Sequence, residues 1–560
     1  KPIVYYVSQE VPDEYKEVCR QAIEDWKPAF EQAGFKNAII GKIAPTKAED
    51  PDWDPEDARY SVIRWAPSEI ANAMGPSIQD PRSGETISAH VIVWSNIFEL
   101  VESWYFAQCA AIDPRAQKVP IPADLMKDLI RYVVAHEVGH TLGLEHNFKA
   151  SAAYTTAQLR NPEFTSKNGV AASIMSYSRY NYVAQPGDGI KQTIGIVGPY
   201  DKFAIEYGYR PINASTPEGE MPALDALLSK QVGDHTLRFG NYKYIGTDPQ
   251  MQSEIIGSDP VESTRLGLKN IDRIAENYLI PATAKFGKSY DRTQQMFGEL
   301  RGQWMTEIGH VITLVGGVGE TDLHVGRGNG VIFSPVPGTQ QRKAVQLLTS
   351  ALRPSAAMSN AKLFSKISPT GVVDQFGGVQ NMILRSLLSD AKVRRLQEYE
   401  YTNPKEAYTP SMLVSDLTAG IFPELGAAKV TTNIHGRNLH RGYLKTVDGR
   451  VNGSSASQTD IRPLLKASLK ALDAKIVAAL PRVTDAVTKA HLIECRTDIA
   501  KIMSDTYTRG GGGAAPMSLA ELLGLPGFGL IDTLKGHQSC WSRQLPAFVI
   551  EELKHQNHGK

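Results

Sequence analysis

The sequence predicts an α+β fold class: a mixed twisted sheet with a long helix laid against it, followed by a larger, mostly α-helical region. Three observations carry this reading. Short β-branched and aromatic runs alternate with one amphipathic stretch over the first hundred residues. A long helical period then occupies residues 124–145. Beyond a Pro- and Gly-containing segment at 210–219 the periodicity is predominantly helical.

Taken in order, Ile3-Val4-Tyr5-Tyr6-Val7 reads as a strand. After Pro12-Asp13-Glu14, apolar residues Tyr15, Val18, Cys19, Ala22, Ile23, Trp26 and Phe30 recur at helical spacing and predict one long helix. Residues 38–40, 61–65 and 88–94 read as strands, the last preceded by a turn at 81–84. In the long helix Asp124 is a suitable N-cap, and Leu125, Leu129, Tyr132, Val133, His136 and His140 share one broad face. The linker chemistry at 210–219 sets a domain boundary, giving 1–212 and 213–560, with the second part long enough for two subdomains. There, residues 261–279, 290–314, 340–352, 380–398, 461–479 and 485–503 predict helices, 331–333 and 429–432 short strands, and 510–516 a flexible loop.

Composition narrows the function. With 60 basic and 60 acidic side chains the net charge is zero, which argues against a nucleic-acid or other polyanion partner. A 42% hydrophobic content is that of a globular chain, so disorder and fibrous structure are excluded. No run approaches the roughly 18 apolar residues of a membrane span. Cys19, Cys109, Cys495 and Cys540 are too few for a disulfide scaffold and lack C-x-x-C spacing, leaving one or two disulfides open. The chain starts at Lys1 with no charged-then-apolar leader, which reads as a mature or excised fragment.

The stretch His136-Glu137-Val138-Gly139-His140-Thr141-Leu142-Gly143-Leu144-Glu145-His146 carries the chemistry. Residues four apart stack on one helix face, so His136 and His140 can aim two imidazole nitrogens at one Zn²⁺. A third ligand, His146, reaches the same ion only if the helix stops and the chain turns back, and Gly143 supplies the positive φ for that stop. Three neutral histidines leave a coordination position for water, the arrangement of a catalytic zinc ion. Glu137 is placed to take that water's proton, so that the oxygen attacks a carbonyl.

Together with Ser173-Ile174-Met175-Ser176-Tyr177, this stretch resembles the metzincin metallopeptidases, whose three zinc histidines lie above a buried Met-turn. The segment from Pro199 to Tyr209 is similar to the helix that closes metzincin catalytic domains. The chain as a whole resembles large zinc-dependent metalloproteases of the bacterial envelope with a helical C-terminal region. This resemblance implies His136, His140 and His146 as ligands of one catalytic zinc ion, Glu137 as general base and Met175 as the structural pedestal. Tyr177 matches a tyrosine that ligates zinc or stabilises the oxyanion in astacin-like and serralysin-like branches, although a tyrosine packed on the core is the alternative role. Residues 88–94, including Ala89, His90 and Val91, correspond to the edge strand on which metzincins bind extended peptide. His90 there is expected to pack or to line the substrate rather than ligate. Asn147 departs from the residue that marks the familiar branches, and no Pro-Arg-Cys-Gly-like inhibitory segment is present.

The expectation is a monomeric, secreted, periplasmic or envelope-associated zinc endopeptidase acting on protein or peptide. Nothing indicates calcium. A catalytically silent peptide- or glycan-binding protein on a protease fold is the rival from another class, and a zinc hydrolase of a modified peptide or non-peptide amide would share all the chemistry. Gly316 to Gly319 and Gly326 to Gly330 fit no phosphate-binding pattern and read as turns; His435 and His440 are too scattered for a second metal site.

Overall fold

The computed structural model describes residues 1–241, 246–321, 323–327, 330–369, 371–453, 459–504 and 506–507. Strand β1 (Ile3–Val7) leads into α1 (Asp13–Glu24) and α2 (Lys27–Gln32). One helix was expected here; Pro28, which lacks a backbone donor, lies in the first turn of α2, and the break falls just before it. Then come β2 (Ile39–Ile43), β3 (Ser61–Ala66), β4 (Ala73–Met74), β5 (Ser77–Gln79) and β6 (Thr86–Trp94). Next are α3 (Ile97–Cys109) and α4 (Ala123–Thr141). Helix α3 has no counterpart in the periodicity reading, because it is apolar nearly all round and buried throughout 101–109. The cap of α4 also differs from expectation: Pro122 is the N-cap, with Asp124 in the first turn.

Strands β2, β1, β3 and β6 are parallel, in that order, and Ala89, Val91 and Val93 of β6 point into the core. The expectation that residues 88–94 form the edge strand is corrected here. Strand β6 is flanked on both sides, by β3 through Val62↔His90 and Ile63↔Val91, and by an antiparallel ribbon on its other side. That ribbon keeps one register from Ala73↔Val93 to Ser77↔Ala89, with Pro76 O accepting from His90 N at 3.0 Å, so β4 and β5 act as one outer strand. The edge is therefore residues 73–79; its two short strands around Gly75-Pro76 give no alternating pattern to read.

After α5 (Thr156–Leu159), α6 (Pro162–Asn168) and α7 (Pro199–Tyr209), the chain continues through α8 (Pro217–Leu228), α9 (Pro260–Arg273), α10 (Leu279–Thr283) and α11 (Asp291–Leu314). A small hairpin, β7 (Val318–Glu320) with β8 (Phe333–Pro335), precedes α12 (Gly338–Ala351) and α13 (Ala361–Ile367). The expected helix at 380–398 is two, α14 (Val372–Leu387) and α15 (Asp390–Thr402), separated at Leu388-Ser389. Helices α16 (Pro410–Ile421), α17 (Ile434–Asn452), α18 (Ile461–Ala479) and α19 (Ala486–Met503) complete the described chain. The strand expected at 429–432 is a single bridge between Val430 and Val483. The glycine-rich loop at 510–516 and Cys540 lie outside the described residues.

The division at residue 212 is one of composition, and packing crosses it. A single apolar core runs from Tyr5 of β1 to Ile502 of α19. Phe148 N donates to Gly240 O at 2.8 Å, Glu254 N to Tyr177 O at 2.8 Å, and the buried Lys149 and Asp248 pair at 3.3 Å. Cys19, Cys109 and Cys495 are buried free thiols. Among the described residues no helix is long and apolar enough to cross a membrane.

Candidate metal centre

Helix α4 ends just where its histidines need it to. With Leu142 as C-cap, Leu144 N donates to Gly139 O at 3.1 Å and Gly143 N to His140 O at 3.0 Å, the paired bonds of a Schellman turn. Gly143 has φ +93°, which a side chain would strain. The reversed chain brings His146 back over the helix, its Nε2 lying 3.0 Å from Nε2 of His140. Ring nitrogens of His136, His140 and His146 that could hold a metal ion all lie within 4.8 Å of one another.

Backbone carbonyls set the tautomers. Nδ1 of His136 is 2.8 Å from Ile174 O, and Nδ1 of His140 is 2.9 Å from Leu144 O. A carbonyl only accepts, so each Nδ1 carries the proton and each Nε2 offers a lone pair. Burial pushes His136 and His146 well below the ordinary histidine range, with the other imidazoles and the Arg179 charge adding to it, and His140 is lowered by the same burial. Three neutral imidazoles aimed at one point suit a zinc ion in both charge and donor type. The 3.0 Å between Nε2 of His140 and Nε2 of His146 compares with the about 3.3 Å that tetrahedral coordination at Zn–N of roughly 2.0 Å requires.

Met175 lies beneath this cluster, fully buried. A Cβ on Gly139 would stand 2.3 Å from Met175 Sδ and 2.7 Å from the Trp26 ring, so the middle of the motif has room only for glycine. Asp201, at the start of α7, holds the turn: its carboxylate accepts from Ser173 Oγ at 2.5 Å, Ile174 N at 2.7 Å and Gly198 N at 2.7 Å. One residue, Ile174, thus links Asp201 to His136, its N–H donating to the carboxylate and its carbonyl accepting from the imidazole. At the other end of α7, Tyr209 OH donates to Leu142 O at 3.1 Å and secures the helix terminus.

Tyr177 is buried with its ring centroid 4.2 Å from that of His146, and the Arg179 guanidinium stacks between Tyr177 at 4.5 Å and Trp104 at 4.3 Å. Glu137 is wholly buried on α4 between the two helical histidines. The outer ribbon also approaches here, a Cβ on Gly75 falling 2.3 Å from Glu137 O. Of the expected strand residues, Ala89 and Val91 are core side chains and His90 is half-buried, one strand in from the edge.

Several contributors had no readable motif. Asn147 stood out only as a departure, yet it is fully buried and makes three bonds: N to Met175 O at 3.1 Å, Nδ2 to Arg238 O at 2.8 Å, and Oδ1 from Gly240 N at 3.1 Å. Asp201 lies within the segment read as the closing helix, but neither its role nor that of Arg179 is legible there, since their partners come from other segments.

Comparison with known proteins agrees with this geometry. The model of a family described as Met-zincin matches residues 118–429, a span holding the three histidines, Glu137 and the Met175 turn. Neither the curated proteins nor the solved structures yield a match. Because the match spans more than half of the sequence, the chain belongs to the Met-zincin family and is by class a zinc metallopeptidase.

Proposed function

We propose that the protein is an endopeptidase that hydrolyses internal peptide bonds, with His136, His140 and His146 holding one zinc ion. The observation that carries this reading is the convergence of three neutral imidazoles, His136 buried and His140 and His146 half-buried, on one point beside the carboxylate-bearing turn of α4. Bound there, zinc would polarise the scissile carbonyl and acidify water. Glu137 takes the proton from the attacking water and passes it to the leaving amine, a role suited to a carboxylate flanked by the two helical ligands. Tyr177, packed on His146, is the candidate donor to the developing oxyanion, and Arg179 stacked behind it adds positive potential.

Substrate orientation follows from the ribbon at 73–79. Pairs 72/94 and 76/90 are hydrogen-bonded to β6, so by antiparallel alternation Gly75 and Ser77 turn their backbone groups outward. Met74 and Ile78, 45% and 61% exposed, flank them. An extended peptide would add there as a further strand, its main chain gripped and its side chains sorted by pockets. This fits a neutral protein that binds backbone rather than charge.

Purified protein is to be tested on an unfolded protein and a peptide library, before and after chelation and zinc restoration. Internal cleavage that vanishes with chelation and returns with zinc is expected. Release of single terminal residues only, or no cleavage by zinc-loaded protein, would overturn the endopeptidase reading.

A further inference from the structure

Some way from the metal centre, the C-terminal helices bring together a second set of ligating side chains. His440 on α17 and His491 and Cys495 on α19 are all buried, and their donor atoms lie within 4.8 Å of one another. Nδ1 of His440 is 3.0 Å from Nε2 of His491, which is 3.5 Å from Sγ of Cys495. A tetrahedral zinc ion, with Zn–N of roughly 2.0 Å and Zn–S of about 2.3 Å, sets about 3.3 Å between two nitrogens and about 3.6 Å between nitrogen and sulfur. His491 and Cys495 are four apart on one helix and so face the same way.

The surroundings are those of a metal-bound histidine. Nε2 of His440 lies 3.0 Å from Ile421 O, so it carries the ring proton and leaves the Nδ1 lone pair directed at the cluster. The Glu424 carboxylate is also 3.0 Å from that Nε2, on the side of the ring away from the cluster. Phe422 stacks on the His440 ring at 4.0 Å and fixes its plane. His435, in contrast, packs against Phe376 and takes no part.

We propose that His440, His491 and Cys495 form a second zinc site that clasps α17 to α19, with three protein ligands and the fourth position left to water. On binding, Cys495 gives its thiol proton to solvent; the thiolate and Glu424 then offset the two charges of the ion. The assignment is independent of the centre on α4 and lies outside the family match, apart from the supporting 421–424 turn.

The test is metal content of the full chain by elemental analysis, with cobalt as a spectroscopic probe. Wild-type protein should hold two equivalents of zinc, and both His136→Ala/His140→Ala and Cys495→Ser should hold one. Cobalt loaded into His136→Ala/His140→Ala should give near-ultraviolet thiolate-to-cobalt absorption, abolished when Cys495→Ser is added. A wild type with one equivalent, together with a His136→Ala/His140→Ala variant that binds neither zinc nor cobalt, would overturn the site and leave the trio as hydrogen-bonded packing.

Discussion

Asn147 donates its backbone N–H to the carbonyl oxygen of Met175 at 3.1 Å, which ties the residue after the third histidine to the turn beneath all three. Its side chain meanwhile satisfies the backbone at Arg238 and Gly240. Asn147→Ala leaves the buried Gly240 N–H without its partner and frees the Arg238 carbonyl, and should destabilise the fold by about 1–3 kcal/mol. Zinc affinity, read by competition with a chromophoric chelator, should fall by roughly 10- to 100-fold, because the main-chain bond to Met175 remains but the side-chain bonds that hold the segment after His146 against residues 238–240 are lost. Unchanged affinity would show that His146 is positioned without Asn147.

Gly139→Ala places a methyl group against Met175 and Trp26. We expect a loss of about 1–3 kcal/mol in denaturant unfolding, because the Trp26 ring is itself held by a bond to Ala135 O at 2.9 Å and cannot retreat. In a Met175→Ala background the same substitution should be less harmful. Equal penalties in both backgrounds would remove the steric link between motif and turn.

Asp201 supplies a pH dependence. Burial pushes its carboxyl from an ordinary 3.8 up to about 7. The folded state therefore favours the neutral form: its stabilising contribution is full below about pH 4 and is lost as pH rises through about 7. Asp201→Asn, neutral throughout, should gain on wild type by about 1.4 kcal/mol for each pH unit within that window. A difference that stays constant from pH 4 to 8 would contradict this.

The outer ribbon gives a kinetic prediction. Ser77→Pro removes one outward N–H while leaving the ladder to β6 intact. kcat/KM on peptide substrates should fall at least tenfold, about 1.4 kcal/mol, with metal content unchanged. Normal kinetics in a folded variant would exclude main-chain pairing at residue 77.

Legibility followed sequence distance. The candidate ligand set is legible because His136, His140, Gly143 and His146 lie within about three helical turns, where spacing brings the three imidazoles together. Met175 was readable as a second short pattern. The edge ribbon was not, since Gly75 and Pro76 break any alternation, and the apparent edge strand turned out to be central. Asp201 and Arg179 act through partners that only the fold supplies. His440 shows no partner in its own stretch of sequence beside His435, because its neighbours are 51 and 55 positions further on, on another helix.

The most direct test of the account is peptide hydrolysis by Glu137→Gln, measured alongside zinc content. The variant keeps all three imidazoles, so it should bind as much zinc as wild type while its kcat falls by about 10²- to 10⁴-fold. Hydrolysis near the wild-type rate at full zinc occupancy would contradict the assignment of Glu137, and with it the proposed chemistry of the site.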